Sequence, residues 1–483
     1  MRKQLGRVSA TMFTMFLSLL VAATMIQVLS ADSLNNDARN VRPVYDTYKI
    51  KRGAILVNGQ PVAESLPSDD EYSYQRTYAG KAYSALTGFY SLYQGATGIE
   101  SAANDYLTGK NSSQFFEQIN ALFSGNPVTG GSVELTVDPK VQKAAYEALK
   151  GLNGAVVALD PSTGEILALV STPGFDANSL AVHDGELSGS NYQKLLAAKG
   201  DPLINKAISG SLYAPGSVFK LVVSAAAIES GKYDPETMIP NPRKFTLPGT
   251  TTDIQNSGEG RCGGGLTVSL AEALKLSCNI PFAQVGIALG QGRIGDMAEK
   301  FGFGRTIKTP LVATPSVYPT GLDDAQTALT AFGQFDVRVT PLQIAMVSAA
   351  IANGGKLMQP NLIRQVLSSN LAQLAQTKPS VFSTPISSTT AAKLTKMMVA
   401  AVESGVSGNG KISGVSVAGK TGTAQNGADE PYTLWFTGFA PSKNPKVAVA
   451  VVVADGGGQG QSGRGNTLAA PIARKVMQAV LDR

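Results

Sequence analysis

Strand-like runs stand at both ends of one long stretch of this chain, with helix-like patterns between them, and that arrangement restricts the available folds. GAVVALD, a Pro-Ser-Thr-Gly turn and EILALVSTP read as two aliphatic strands joined by a tight hairpin. Far downstream, VSVAGKTGTAQ, LWFTGFAP and KVAVAVVVAD read as three more strands, and LAAPIARKVMQAVLD as a closing helix. The middle, from about 200 to 410, is mainly helical in pattern. Such an order predicts an α+β domain whose antiparallel sheet is built from both ends and covered by helices.

A length of 483 residues favours more than one unit. ELTVDPKVQKAAYEALKGL reads as a short strand running into an amphipathic helix that begins near Pro139, so the larger domain is expected over 132–483. The stretch 32–131 is polar and turn-rich, as in NGQPVAESLPSDDEYS, and is expected to be a linker or a small membrane-proximal module. Before it, Arg2, Lys3 and Arg7 precede a run without charge from Val8 through Ala31. As a helix that run is long enough to cross the ~30 Å hydrocarbon layer. Residues 1–7 are then a cytoplasmic tail, 8–31 an uncleaved signal anchor, and the remainder lies outside. A cleaved signal peptide is the alternative, since Val28-Leu29-Ser30 loosely fits a cleavage site, but the apolar core is long for one.

Composition removes several chemistries. With one histidine, His183, and two cysteines, Cys262 and Cys278, a zinc site of several His and Cys ligands cannot be assembled. His183 lies in AVHDGELSGSN, which reads as an exposed loop, so a nucleophile here needs another base. The net charge of +6 comes without a basic run interleaved with aromatics, which argues against nucleic acid.

Three short patterns carry chemistry. In Ala214-Pro215-Gly216-Ser217-Val218-Phe219-Lys220, Pro and Gly place Ser217 at a helix start, where unpartnered N–H groups can hold an oxyanion. Lys220, three residues on, shares the helix face, and burial against the apolar LVVSAAAIES would lower its pKa and make it a base. A helix cap and a solvated lysine are the plainer alternative. Ser277-Cys278-Asn279 could relay a proton through its hydroxyl and grip a peptide group through its amide, or simply end a helix. Lys420-Thr421-Gly422-Thr423, on a strand, offers a cation and two hydroxyls to a carboxylate, a glycine for close approach, and an N–H of Thr423 for an oxyanion hole shared with Ser217. Alone, it is a strand with a glycine bulge. Together and in this order, the three form the set of class A β-lactamases and penicillin-binding proteins.

With KRGAILVNGQ, TGFYSLYQGATGIE, TVDPKVQ, NKAISGSLYAPGSVFK, SLAEALKLSCN, VTPLQIA, AAIANGG and GKTGTAQ also in order, the chain resembles class B penicillin-binding proteins, most closely their actinobacterial penicillin-binding protein A subgroup. The resemblance implies the penicillin-binding transpeptidase fold. It implies Ser217 as acylated nucleophile, Lys220 as base, Ser277 as proton shuttle and Asn279 as ligand of the substrate amide. Lys420, Thr421 and Thr423 would bind the terminal carboxylate, with Gly422 between them. It also implies D,D-transpeptidation of D-Ala-D-Ala stem peptides, acylation by β-lactams, no metal or organic cofactor, and a SEDS-family glycan polymerase as partner. Relatives often carry Asp-Arg-Asn-Gly after the membrane-proximal Arg-Gly, whereas Arg52-Gly53 leads here to Val57-Asn58-Gly59, and the segment before the catalytic domain is short for a full pedestal. A carboxypeptidase or β-lactamase using the same motifs is the nearest rival. A dead scaffold is more remote because all the motifs are retained, and a β-lactam sensor because the expected cytoplasmic tail, residues 1–7, leaves almost no signalling domain.

The same subgroup resembles this chain in pairing a cysteine before the Ser-x-Asn motif with the one inside it. An even pair in an oxidising compartment favours a disulfide between Cys262 and Cys278, two buried free thiols being the alternative. Closing a loop of about 15 residues would stabilise by ~3 kcal/mol in the chain-entropy model. Alkylating the native protein without reductant should leave its intact mass unchanged, and addition of two alkyl groups would reject the bridge.

Overall fold

Aliphatic strands that do not alternate with polar residues need cover on both faces, and the strand sequence VAVAVVV is buried at every position. A computed structural model describes residues 2–30, 48–114, 123, 129–210, 212–258 and 260–483. Its principal elements in chain order are α1 (Arg2–Thr24), β1 (Ile55–Val57), β2 (Gln60–Pro67), β3 (Tyr74–Tyr78), β4 (Ser132–Leu135), α2 (Pro139–Leu149), β5 (Gly154–Leu159), β6 (Ile166–Thr172), α3 (Lys220–Glu229), α4 (Leu270–Lys275), α5 (Ile280–Lys300), α6 (Pro341–Ala352), β7 (Ile363–Leu367), β8 (Gln373–Gln376), α7 (Ser388–Glu403), β9 (Ala418–Ala424), β10 (Thr433–Ala440), β11 (Val447–Val453) and α8 (Ala469–Leu481).

The larger sheet runs β9-β10-β11-β5-β6, antiparallel throughout, and so joins the two ends of its domain. One face packs on α2 and α8, through Val141, Leu149, Val476 and Met477, and the other on α6. Asp138 caps α2 by accepting from Lys140 N and Val141 N, with Pro139 in the first turn. α3 is apolar around its whole circumference, so it lies in the core and takes its first residue, Lys220, with it.

The membrane-proximal module is more than a linker. Its six-stranded sheet has the order β8-β7-β4-β1-β2-β3, with β1 parallel to β4. The boundary expected at 131/132 therefore passes through this sheet, because β4 pairs with β1 on one side and with β7 on the other. β7 and β8 come from the stretch read as helical; they are short and half-exposed, so no continuous apolar run marks them. The 31–47 and 115–122 stretches of the expected anchor and module, with 124–128, lie outside the described residues.

At the module's centre Glu100 is fully buried between two guanidinium groups: Arg52 Nε donates to Oε2 at 2.6 Å and Arg76 Nε to Oε1 at 2.7 Å. Burial alone would raise this carboxyl's pKa, and the two arginines outweigh it and hold it below the ordinary value. Gly53 follows Arg52 because a Cβ there would lie 1.9 Å from Gly131 O. The module docks on the larger domain through Tyr78, whose N–H donates to Asn178 Oδ1 at 2.9 Å, and Gln75, whose amide donates to Ala181 O at 2.7 Å. His183 is on a loop as expected, but its ring is not exposed: it is turned onto the module, paired with Asp70 and tilted against the ring of Tyr72. α1 begins at Arg2, earlier than the uncharged run, and Lys3–Gln27 is one helix long and apolar enough to cross a membrane.

Removing the anion of the Glu100 cluster leaves two buried cations facing each other. Glu100→Ala should cost ~3–5 kcal/mol of unfolding free energy, read by denaturant titration of the full-length protein; a change below ~1 kcal/mol would mean the cluster is solvated in solution.

Candidate active site

Ser217 sits in a short 3-10 turn, Gly216–Phe219, that leads directly into α3. Gly216 has φ +53°, a left-handed conformation suited to glycine, and its N–H donates to Gly333 O at 2.9 Å. The chain's one tryptophan, Trp435 on β10, donates through Nε1 to Ala214 O at 2.9 Å. A Cβ on Gly422 would lie 3.0 Å from Pro215 O and 3.2 Å from Val218 Cγ1, so glycine at this place in β9 lets the serine's turn lie flush against the strand.

β9 is an edge strand. Thr421 N–H points away from β10 and donates to Ser407 Oγ at 3.1 Å. Amides two residues apart on a strand point the same way, so Thr423 N–H also faces the open edge, where the turn of Ser217 lies. The N–H of Ser217, near the start of its helical turn, has no intrahelical acceptor.

Lys220 and Lys420 are both fully buried, and both reach the turn between α4 and α5. Lys220 Nζ donates to Ser277 O at 2.8 Å and Asn279 Oδ1 at 2.9 Å, with Ser277 Oγ at 3.5 Å. Lys420 Nζ donates to Ser277 Oγ at 2.8 Å and to Thr421 O at 2.8 Å. Burial disfavours the ammonium of Lys220, and the charge of Lys420 adds to that, so its pKa falls well below the ordinary lysine value. Burial likewise lowers Lys420 to about 7. In its uncharged form an amine has two N–H donors and one lone pair, so with Ser277 O and Asn279 Oδ1 taking the two donors the lone pair of an uncharged Lys220 would be left over.

The structure brings Lys220, Ser277, Asn279 and Lys420 into one hydrogen-bonded group. The expected approach of Lys220 to Ser217 is not a hydrogen bond here: among the described residues Ser217 Oγ bonds to no partner, and Lys220 Nζ donates to Ser277 O and Asn279 Oδ1. Thr421 also differs from expectation. Its hydroxyl donates to Val406 O at 3.3 Å and meets Ser407 Oγ at 3.2 Å, so binding a carboxylate would need a side-chain rotation. Thr423 is partly exposed, and its hydroxyl oxygen accepts from Gly465 N at 3.2 Å, which leaves its own O–H to donate.

Ser277 has φ +61°, a strained conformation for a residue other than glycine, so its turn must be held from outside. Cys278 is joined to Cys262 by a disulfide. Asn256 Oδ1 accepts from Asn279 N at 2.8 Å and Ile280 N at 3.0 Å, capping α5 from a distant loop. Asn241 holds the Cys262 end, accepting from Cys262 N at 3.2 Å and donating to Cys262 O at 2.7 Å. Sequence reasoning missed both asparagines, since neither stands in a recognisable pattern.

The folded pKa of Lys420, about 7, lies below its ordinary value of 10.5. Between these values the unfolded chain binds more protons than the folded one, so stability rises with pH across that window. The stability of the parent relative to Lys420→Met should therefore increase from pH 7 to 10.5 in denaturant titrations at fixed ionic strength; a flat difference would mean the amine is charged in the fold.

Residues 154–478 match the penicillin binding protein transpeptidase domain, and residues 52–133 match the penicillin binding protein A dimerisation domain. The peptidoglycan D,D-transpeptidase PbpA of Mycolicibacterium smegmatis is 40% identical over 495 residues, spanning 100% of this chain and 99% of the relative. That of Mycobacterium tuberculosis H37Rv is 40% identical over 492 residues, with the same coverage. The solved ceftriaxone acyl-enzyme complex of penicillin-binding protein A from M. tuberculosis superposes with a TM-score of 0.87 at 39% identity, covering 90% of this chain and 100% of that one. With likeness running from the N-terminal helix through the module to the lysine-bearing edge strand, this chain belongs to the penicillin-binding protein transpeptidase family.

Proposed function

We propose that this protein is a peptidoglycan D,D-transpeptidase acting through an acyl-enzyme on Ser217. The observation that carries the reading is the buried Lys220 amine, whose two donors are engaged by Ser277 O and Asn279 Oδ1. Its lone pair takes the proton of Ser217 Oγ as that oxygen attacks the carbonyl carbon of the penultimate D-Ala of a stem peptide. The N–H groups of Ser217 and Thr423 stabilise the oxyanion. Collapse breaks the C–N bond, and the departing D-Ala amine receives the proton from Lys220 through Ser277 Oγ, which lies between the two lysines. An amine of a second stem peptide then attacks the ester, forms the cross-link and returns a proton to Ser217.

Lys420 and Thr423 hold the terminal carboxylate, with Thr421 joining after rotation, and Asn279 offers its Nδ2 to the substrate amide by giving up Gln255 O. Gly422 keeps the strand close to the serine. A β-lactam mimics the same peptide end and acylates the same oxygen. The N-terminal helix anchors the chain as a single pass, with the basic residues before the uncharged run inside and the catalytic domain outside. The working units are that anchor, a membrane-proximal module and the transpeptidase domain, with β4 at 132–135 completing the module's sheet. A SEDS-family glycan polymerase, met through the anchor and module, would supply the strands.

Fluorescent penicillin should label the parent protein covalently and leave Ser217→Ala unlabelled, and the parent should join donor and acceptor stem peptides. Labelling of the alanine variant would sink the assignment. An adduct lost within minutes, with no cross-linked product, would favour a hydrolase.

A further inference from the structure

The two halves of the site meet on one turn that the mechanism above does not use. After α7 the chain passes through 404–407, and Val406 N donates to Lys275 O at 3.2 Å, at the end of α4 and two residues before Ser277. Gly405 lies so close that a Cβ would come within 2.5 Å of the same Lys275 O. On its other side the turn meets β9. Ser407 Oγ accepts from Thr421 N at 3.1 Å, its hydroxyl meets Thr421 Oγ1 at 3.2 Å, and Thr421 Oγ1 donates onward to Val406 O at 3.3 Å. Ser407 is fully buried, so water cannot take its place on the edge-strand amide.

Thr421 is also the residue whose carbonyl receives Lys420 Nζ at 2.8 Å. One peptide unit away from the Ser407 bond, then, is the lysine whose other donor goes to Ser277 Oγ at 2.8 Å. A shift of β9 away from the turn would lengthen that contact directly, because Ser277 stays tied to α4. We propose that Ser407 is a positioning residue that sets the separation between the lysine-bearing edge strand and the Ser277 turn, and so governs the rate of the acylation step.

The proposal rests on the reading of Ser217 as nucleophile, and the test separates the two. The full-length protein in detergent is mixed with fluorescent penicillin over a range of concentrations, comparing the parent with Ser407→Ala, Ser407→Cys, Ser404→Ala and Ser217→Ala. Ser404 is on the same turn but exposed, with its hydroxyl on Ala400 O, and reports general disturbance there. Loss of Ser407 Oγ as acceptor for the buried Thr421 amide should lower the saturating acylation rate of Ser407→Ala about tenfold. Its final labelling and half-saturating concentration should stay near the parent's. Ser407→Cys, nearly isosteric but a weaker acceptor, should fall between, and Ser404→Ala should match the parent. A fall of less than about threefold, or lower final labelling at an unchanged rate, would overturn the proposal. If the alanine variant does not fold, the cysteine variant decides by the same criteria. A parent that takes no label, or a labelled Ser217→Ala, would defeat the nucleophile assignment instead.

Discussion

Two lysine amines buried beside one serine hydroxyl are the constraint on which the rest of this structure turns. An ammonium without a counter-charge is costly in an apolar interior, and the cheaper course is to lose the proton. Lys220 and Lys420 meet carbonyl and hydroxyl oxygens where a carboxylate would have held the proton on. The wholly apolar α3 is what buries Lys220, and edge strand β9, packed on α7 and on the serine's turn, is what buries Lys420. Under the proposed function, that burial favours the uncharged amine of Lys220 that a base requires, with no histidine involved.

The module resolves a buried charge in the opposite way. Glu100 keeps its charge because Arg52 and Arg76 grip both carboxylate oxygens, and Tyr78 adds a third donor at 3.2 Å. An ion pair of that kind fixes geometry without offering a reactive lone pair. It joins Arg52, just before β1, to Arg76 and Tyr78 on β3 and to Glu100 further on, and lies beside Tyr90, over whose ring the Arg52 guanidinium sits at 4.2 Å. Charge is retained where rigidity is needed and removed where proton transfer is needed.

Much of this was legible in the sequence, and the omissions have a common cause. The aliphatic runs of β5, β6, β10 and β11 announce themselves because both faces of their sheet are covered, and Pro139 marks the start of α2. Ser217, Lys220, Ser277, Asn279 and Lys420 stand in short patterns, each weak alone, that point to a site only together and in order. What stayed hidden depends on partners far away in the chain. β4 reads as a strand but nothing nearby says that it pairs with β1 and β7; His183 reads as a loop residue because Asp70 lies 113 positions earlier. Ser407, Asn241 and Asn256 are single buried polar residues in turn-forming stretches, indistinguishable by type from solvated ones. The positive φ of Ser277 has no local sequence signal, since it is imposed by the disulfide and the asparagine clamps around it.

The open edge of β9 is the remaining consequence of that arrangement. An unpaired sheet edge invites any extended chain, and proteins normally blunt it. Here Ser407 occupies the Thr421 amide and Lys420 its carbonyl, so the inner end of the edge is closed. The next outward-facing unit belongs to Thr423, against the turn of Ser217. Under the proposed function this leaves an edge short enough to accept only the end of a peptide, laid down as an added strand. A chain entering there is stopped by the closed segment, and its terminus is brought to the lysine and hydroxyl that would bind a carboxylate. Under that reading, the Ser407 and Lys420 contacts that close the inner end of the edge also determine where along the strand a substrate must end.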